Sequence, residues 1–420
     1  MSHSVVGQRI PRMDAVLQVT GQSRYGADYS RPGMLYAKAL RSQHAHARIQ
    51  GIDTSRAEKL AGVQAVLTAK DFPLNRFGLT HKDQPILADD KVRYRGDALA
   101  VVAASSWEAA EEALGLIQVD YAPLPAVFDP LEAMKPEAPK VHADSNIATH
   151  HKIRFGDIER GFKESDVIFE EKIATPMVEH AHLEPHAAIA EMSPMGELLI
   201  TTSSMRPFAF AADIGEILKI PMHKIKLATS AVGGGFGGKN EITIEPYIAL
   251  LAMKTGRPVK MAFTREDEFE VSTVRHPYIT NYKSGLKRDG TLVARQVEII
   301  SDSGAYVSFG YSTLSKACIH AAGPYRIPYI AIDGYLVYTN NPVGGAMRGF
   351  GVTQLGFAYE VHMETIAAEM GLDPVEFRLK NIFVDNSSLP TGQVVQTVTL
   401  TECIQQAMHL AGWEREVKIL

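Results

Sequence analysis

Residues 233–240 read Gly-Gly-Gly-Phe-Gly-Gly-Lys-Asn, five glycines around one aromatic. Such a run suits neither a helix nor an ordinary strand, because each glycine loses more conformational freedom on ordering than any other residue. What it offers is backbone with no side chain in the way, so main-chain N–H groups can approach an anion, an oxo group or a phosphate directly. Phe236 places one ring inside a site otherwise built of backbone. The stretch reads as a cofactor cradle, and two familiar cradles can be tried on it. Gly233, Gly238 and Lys239 fit the phosphate-binding pattern G-x-x-x-x-G-K, with the apolar run KIKLATS before it and Asp302 ending a later candidate strand. The fit fails at Asn240, where that pattern needs a Ser or Thr hydroxyl on Mg²⁺. A dinucleotide fingerprint can be traced through Gly233, Gly235 and Gly238, but no acidic residue sits at a strand end about 20 residues on.

The rest of the chain bounds the answer. With 420 residues, two or three domains are expected. Hydrophobic content of 45% and charged content of 22% are those of a globular protein with a substantial core. A net charge of −5, with no basic run interleaved with aromatics, argues against a nucleic-acid surface. Two cysteines, Cys318 and Cys403, are too few for a disulfide framework or an iron–sulfur cluster, and Cys318 sits in an apolar context typical of a buried thiol. The opening MSHSVVGQRI has no apolar signal-peptide core, and no uncharged apolar run of about 18 residues is present, so the expected location is cytoplasmic.

Short apolar segments at 35–41, 63–69, 98–104 and 117–121 read as strands, and SWEAAEEALGLI as an amphipathic helix. Prolines then recur through 124–150, which reads as an extended linker. Beyond it, strands are expected at VIFEEKIAT, AIAEMS, ELLITTS, KIKLATS, VKMAFT, TNYKSGLK and VARQVEIISD, with helices at PFAFAADIGEILKI, EPYIALLAMKT, TQLGFAYEVHMETIAAEM, DPVEFRLKN and TECIQQAMHL. Gly256 and Gly371 are helix stops, and Asp373 with Pro374 a helix start.

In order along the chain, DAVLQVTGQSRYGADY, HARI at 46–49, HLEPHAAIA at 182–190, GGGFGGK, AMRGFG at 346–351 and LDPVEFRLKN at 372–381 resemble the large, molybdopterin-binding subunit of the xanthine dehydrogenase and aldehyde oxidase family, the molybdenum hydroxylases. The resemblance covers essentially the whole chain, and the arrangement resembles the split large molybdopterin subunit of nicotinate dehydrogenase. It implies an α+β fold: an N-terminal extension at 1–18, a mixed α/β hammerhead-type domain at 19–125, a linker at 126–150, the first molybdopterin-binding α+β domain at 151–400, and a C-terminal helix and tail at 401–420. It also implies a molybdenum–molybdopterin cofactor, in the cytosine dinucleotide form, that hydroxylates an electron-poor carbon with oxygen from water. Gly234, Gly235, Phe236 and Gly237 would lie against the cofactor, with Phe236 beside the metal. Arg348 would stand as a fixed cation near metal and pterin, and Phe350 would stack on a planar substrate.

Three positions depart from the family pattern. Asn240 and Lys316 fall where purine-oxidising members carry Glu and Arg, so hydrogen-bonding capacity survives while one charge and one bidentate fork are lost. Met205, in TSSMRPF, falls where a Gln commonly lies close to the metal, and a thioether cannot donate. The cluster Glu179, His180, His182, Glu184 and His186 invites a metal-site reading, but Pro185 and the family match make it a structural segment. His44 and His46 are read as without function. The family's general-base Glu lies beyond the matched region, so no catalytic acid–base residue is assigned here. A split enzyme is expected, with a second molybdopterin-binding chain supplying the base, and FAD and 2Fe–2S centres on further subunits. The competing readings are a non-catalytic scaffold and an aldehyde-oxidising member.

Overall fold

The computed structural model describes residues 4–413. It divides into two compact units, and neither is a continuous stretch of chain. The first gathers the chain up to Gly78, Lys82–Leu124 and Glu179–Ser272; the second gathers Leu79–His81, Pro125–Val178 and the chain from Thr273 onward. The block anticipated at 151–400 is therefore shared between them. The reason is strand pairing at long range: Val259–Ala262 lies parallel to Leu35–Arg41, with Leu35 opposite Val259 and Tyr36 opposite Lys260.

In the first unit a seven-stranded sheet runs in the order Ile225–Thr229, Leu198–Thr202, Ala187–Met192, Val259–Ala262, Leu35–Arg41, Ala98–Ala104, Val63–Thr68. Ala98–Ala104 (ALAVVAA) is buried at every residue, as a strand covered on both faces must be. Helix Glu245–Thr255 packs on Ala187–Met192 and is apolar nearly all round, with Ile248, Ala249, Leu251 and Ala252 fully buried. The parallel strands Leu198–Thr202 and Ile225–Thr229 are joined by helix Pro207–Leu218, and Thr202 stands opposite Thr229. The segments leaving their carboxyl ends, one carrying Met205 and the other the glycine run, thus emerge side by side. That end of parallel strands is where open α/β sheets receive ligands.

The second unit is built on a five-stranded sheet ordered Ile147–Phe155, Tyr329–Tyr338, Leu292–Gly304, Tyr278–Leu286, Val167–Thr175. Its one parallel pair, Leu292–Gly304 with Tyr329–Tyr338, is bridged by helix Gly310–His320. Helix Val352–Met370 packs against Gly310–His320 and stops at Gly371, which is left-handed.

Several elements depart from the sequence expectations. Helix Gly310–His320 is rich in Gly, Ser and Thr and has weak intrinsic helicity; packing of Leu314, Ala317 and Cys318 in the core holds it. Strand Ile147–Phe155 is polar at His150, His151 and Lys152 and forms because Tyr329–Tyr338 offers it a partner. The stretch anticipated as a linker at 126–150 is knitted into the second unit. Val127 N–H donates to Asn340 Oδ1 at 2.8 Å, and Asn146 accepts from Val141 at 3.0 Å while donating to Ala133 and Pro139 carbonyls. Helix Ala15–Val19 of the expected extension and helix Leu400–Leu410 near the other end bury no residue. The tail beyond residue 413 lies outside the described residues.

Candidate functional site

The glycine run is a chain of turns between strand Ile225–Thr229 and helix Glu245–Thr255. It closes on itself through Gly238 N–H to Gly235 carbonyl at 2.7 Å and Asn240 N–H to Gly237 carbonyl at 3.2 Å. Phe236 holds a left-handed backbone (φ 49°) and is 45% exposed. Left-handed geometry is costly for an aromatic residue and persists only where the surroundings enforce it. Among the described residues, the N–H groups of Gly234, Gly235, Phe236 and Gly237 have no protein acceptor. Met205 lies directly against the run: its N–H donates to Lys239 carbonyl at 3.0 Å, and a Cβ on Gly235 would meet its Sδ at 2.7 Å. Met205, the cradle and the half-buried Asn240 therefore come together in the first unit.

Two buried acid–base pairs support this loop. Glu184 accepts from Gly233 N–H at 2.7 Å, from Lys239 Nζ at 2.7 Å and from Gly26 N–H at 3.0 Å. Lys239 is fully buried, and burial pulls its pKa below the ordinary lysine value while Glu184 opposes the shift. An ammonium committed inward to a carboxylate cannot serve a phosphate, and no helix opens until Glu245. Both facts remove the phosphate-loop reading. Beneath it, Glu268 accepts from the backbone N–H of His186 and faces His186 Nδ1 at 2.8 Å. His186 Nε2 lies 3.3 Å from Gly238 carbonyl. Burial alone would raise the Glu268 carboxyl, but the hydrogen bonds and charge of His186 outweigh it and hold the pKa at about 2. His182, His186 and Glu268 have ligand atoms within 4.8 Å of one another, a spacing that could also take a cation. Glu268 was not in the cluster visible in sequence, and Glu179 and Glu184 are not part of this one.

In the second unit, Arg348 is exposed and Phe350 half-buried, on a loop between Gly344–Gly345 and helix Val352–Met370. Phe350 repeats the left-handed backbone of Phe236 (φ 52°) between two positive-φ glycines, Gly349 and Gly351. Its ring meets Phe309 edge-on, centroids 5.9 Å apart. A Cβ on Gly351 would come to 2.5 Å from Thr313 carbonyl, so this loop sits tightly on helix Gly310–His320, which carries the exposed Lys316. Arg275 binds the loop: it donates to Arg348 carbonyl at 2.9 Å, Thr353 Oγ1 at 2.6 Å and Gln354 Oε1 at 3.3 Å. Sequence reasoning missed Glu184 as a ligand of the cradle, Glu268 and Arg275. An isolated acidic or basic residue carries no local sign of a partner 49 to 82 positions away; only the folded structure reveals it.

Residues 140–382 match the family described as molybdopterin cofactor-binding domain, and residues 20–125 the aldehyde oxidase and xanthine dehydrogenase a/b hammerhead domain. The chain is 38% identical over 419 residues to the nicotinate dehydrogenase large molybdopterin subunit of Eubacterium barkeri, covering 98% of this chain and 99% of that one. It is 44% identical over 372 residues to a probable xanthine dehydrogenase subunit of Bacillus subtilis (strain 168), covering 88% of this chain and 50% of that one. The solved aldehyde oxidoreductase from Desulfovibrio gigas matches with a TM-score of 0.91 at 32% identity, over 97% of this chain and 47% of that one. The fold and the matched domains define a molybdopterin-binding protein. The chain belongs to the xanthine dehydrogenase and aldehyde oxidase family, with the hammerhead and molybdopterin-binding domains expected of it. It spans about half the length of the Bacillus and Desulfovibrio relatives.

The residues present fit such a cofactor. Four consecutive N–H groups have no protein acceptor, which suits an anionic or oxo-bearing group, and the space above Gly235 beside Met205 leaves no room for a side chain.

Proposed function

We propose that this chain is the molybdopterin-binding subunit of a hetero-oligomeric molybdenum hydroxylase that acts on an electron-poor carbon of an N-heteroaromatic, nicotinate- or purine-like ring. The observation that carries the reading is the acceptor-free amide cradle at Gly234–Gly237, in a chain that spans 99% of a nicotinate dehydrogenase large molybdopterin subunit. When bound, the molybdenum cofactor supplies transfer of oxygen from water and accepts the two electrons leaving the substrate carbon. The chain's own residues bind and orient. The cradle amides donate to the cofactor's anionic face, and Phe236 and Met205 keep water from it. Arg348 adds a fixed positive charge, Phe350 offers its face to a flat ring, and Asn240 and Lys316 supply hydrogen bonds to ring heteroatoms. The cofactor is taken as the cytosine dinucleotide form, and the general-base Glu as residing on a second molybdopterin-binding chain. FAD and 2Fe–2S subunits would carry the electrons onward. A cytoplasmic enzyme fits this assembly; no described helix is long and apolar enough to cross a membrane.

A second reading, aldehyde oxidation, is favoured by the likeness to the Desulfovibrio aldehyde oxidoreductase. The test is to purify the chain with its natural partners, measure molybdenum per chain, and assay with an artificial electron acceptor. One molybdenum per chain and turnover of N-heteroaromatics are expected. Turnover of aldehydes alone selects the second reading, and an assembly without molybdenum rejects both in favour of a scaffold.

A further inference from the structure

Both ends of the glycine run converge on one carboxylate. Gly233 N–H opens the run and Lys239 Nζ closes it, and both reach Glu184 Oε2 at 2.7 Å. Gly26 N–H reaches the other oxygen at 3.0 Å, and the backbone of Glu184 returns the contact by donating to Gly233 carbonyl at 3.1 Å. The carboxylate therefore receives three N–H donors, one of them an ammonium with no solvent exposure. Its own side chain is 9% exposed. Charge-assisted bonds of this kind are the strong ones, and a buried pair constrains geometry because either partner left alone is heavily penalised.

The five residues between these two anchors include the amides with no protein acceptor. A glycine-rich segment of that length has no intrinsic preference for one conformation, so free in solution it would scatter those N–H groups over many directions. Holding both ends at one point removes most of that freedom. The segment Arg24–Gly26 is bound in as well: Tyr25 bridges Ala231 in parallel, and Ala231 N–H donates to Arg24 carbonyl at 3.0 Å. Arg265 fixes the stretch that carries Glu184, donating to the carbonyls of His182 at 2.6 Å and Leu183 at 3.1 Å.

We propose that Glu184 is a positioning residue: with Lys239 it clamps the two ends of the glycine run and so presets the Gly234–Gly237 amides for the anionic cofactor. The inference rests on the molybdopterin reading for the identity of that cofactor, while the clamp itself is a property of the chain alone.

The full chain, co-expressed with its natural partners, provides the test, using Glu184→Gln and the double variant Glu184→Gln/Lys239→Met, which leaves no buried unpaired ammonium. Ile248→Val serves as a core control. Hydrogen exchange on cofactor-free assemblies is expected to show at least tenfold loss of protection at Gly233, Gly238 and Asn240 in both Glu184 variants, with helix Glu245–Thr255 protected as in the wild type. Molybdenum content per assembly should fall at least tenfold in the same variants and hold steady in Ile248→Val. Protection within twofold of wild type at those three amides overturns the clamp. Lost protection with undiminished molybdenum overturns its role in cofactor binding. Lost protection in an assembly whose wild type carries no molybdenum upholds the clamp and rejects the molybdopterin reading instead.

Discussion

Two aromatic residues, Phe236 and Phe350, hold left-handed backbones inside glycine-rich loops, and each is partly exposed. Strain at such positions is kept where the side chain's direction matters more than its local comfort. If Phe350 stacks on the substrate, Phe350→Ala should remove about 1 kcal/mol of binding, raising KM for N-heteroaromatics about fivefold. Steady-state kinetics checks this, and an unchanged KM would return the ring to a packing role against Phe309. Arg275 tests a different bond. Its fork reaches Arg348 carbonyl, Thr353 and Gln354, a set that one ammonium cannot reproduce. Arg275→Lys should therefore increase hydrogen exchange across residues 346–351 while strand Tyr278–Leu286 keeps its protection.

At the scale of elements, helix Val352–Met370 is flanked by two left-handed glycines that differ in surroundings. A Cβ at Gly351 would meet Thr313 carbonyl at 2.5 Å, whereas one at Gly371 would meet nothing within 4 Å. Gly351→Ala should cost on the order of 3 kcal/mol from strain plus a clash with rigid backbone, and Gly371→Ala about 1 kcal/mol from strain alone. Urea unfolding of the two variants compares them directly, and equal losses would show that the loop can move off Gly310–His320. The elements legible in sequence were those with a strong period or a clean stop, such as Leu35–Arg41, Glu245–Thr255 and Val352–Met370. Gly310–His320 and Ile147–Phe155 were not, because their own residues argue weakly and tertiary partners decide them.

Across the whole molecule, burial sets how the fold responds to acid. His276 is fully enclosed in the second unit, and loss of hydration, aided by the charge of Arg275, lowers its pKa to about 4. A histidine lowered from about 6.5 is neutral in the fold, and the unfolded chain binds the extra proton first. Its contribution is therefore complete above pH ~6.5 and is lost as the pH falls toward 4, on the order of 3 kcal/mol over that window. Unfolding midpoints measured from pH 7.5 to 4 should fall less steeply in His276→Gln; parallel curves would contradict the assignment. Glu268, held at about 2, acts lower: its contribution is present above about pH 4.5 and fades only as the pH drops toward 2.

The sequence by itself determined the family and marked two glycine-rich turns, around Phe236 and around Phe350, because glycine runs, a lone aromatic and helix stops are local chemistry that reads without a fold. Asn240 alone was enough to cast doubt on a phosphate loop. Only the tertiary structure decided that Lys239 turns inward to Glu184, that His186 and Glu268 pair beneath Gly238, and that Glu179–Ser272 joins the N-terminal strands in one sheet. Those outcomes depend on which distant groups are brought together when apolar strands pair and exclude water, and a charged residue carries no mark of its partner until that has happened.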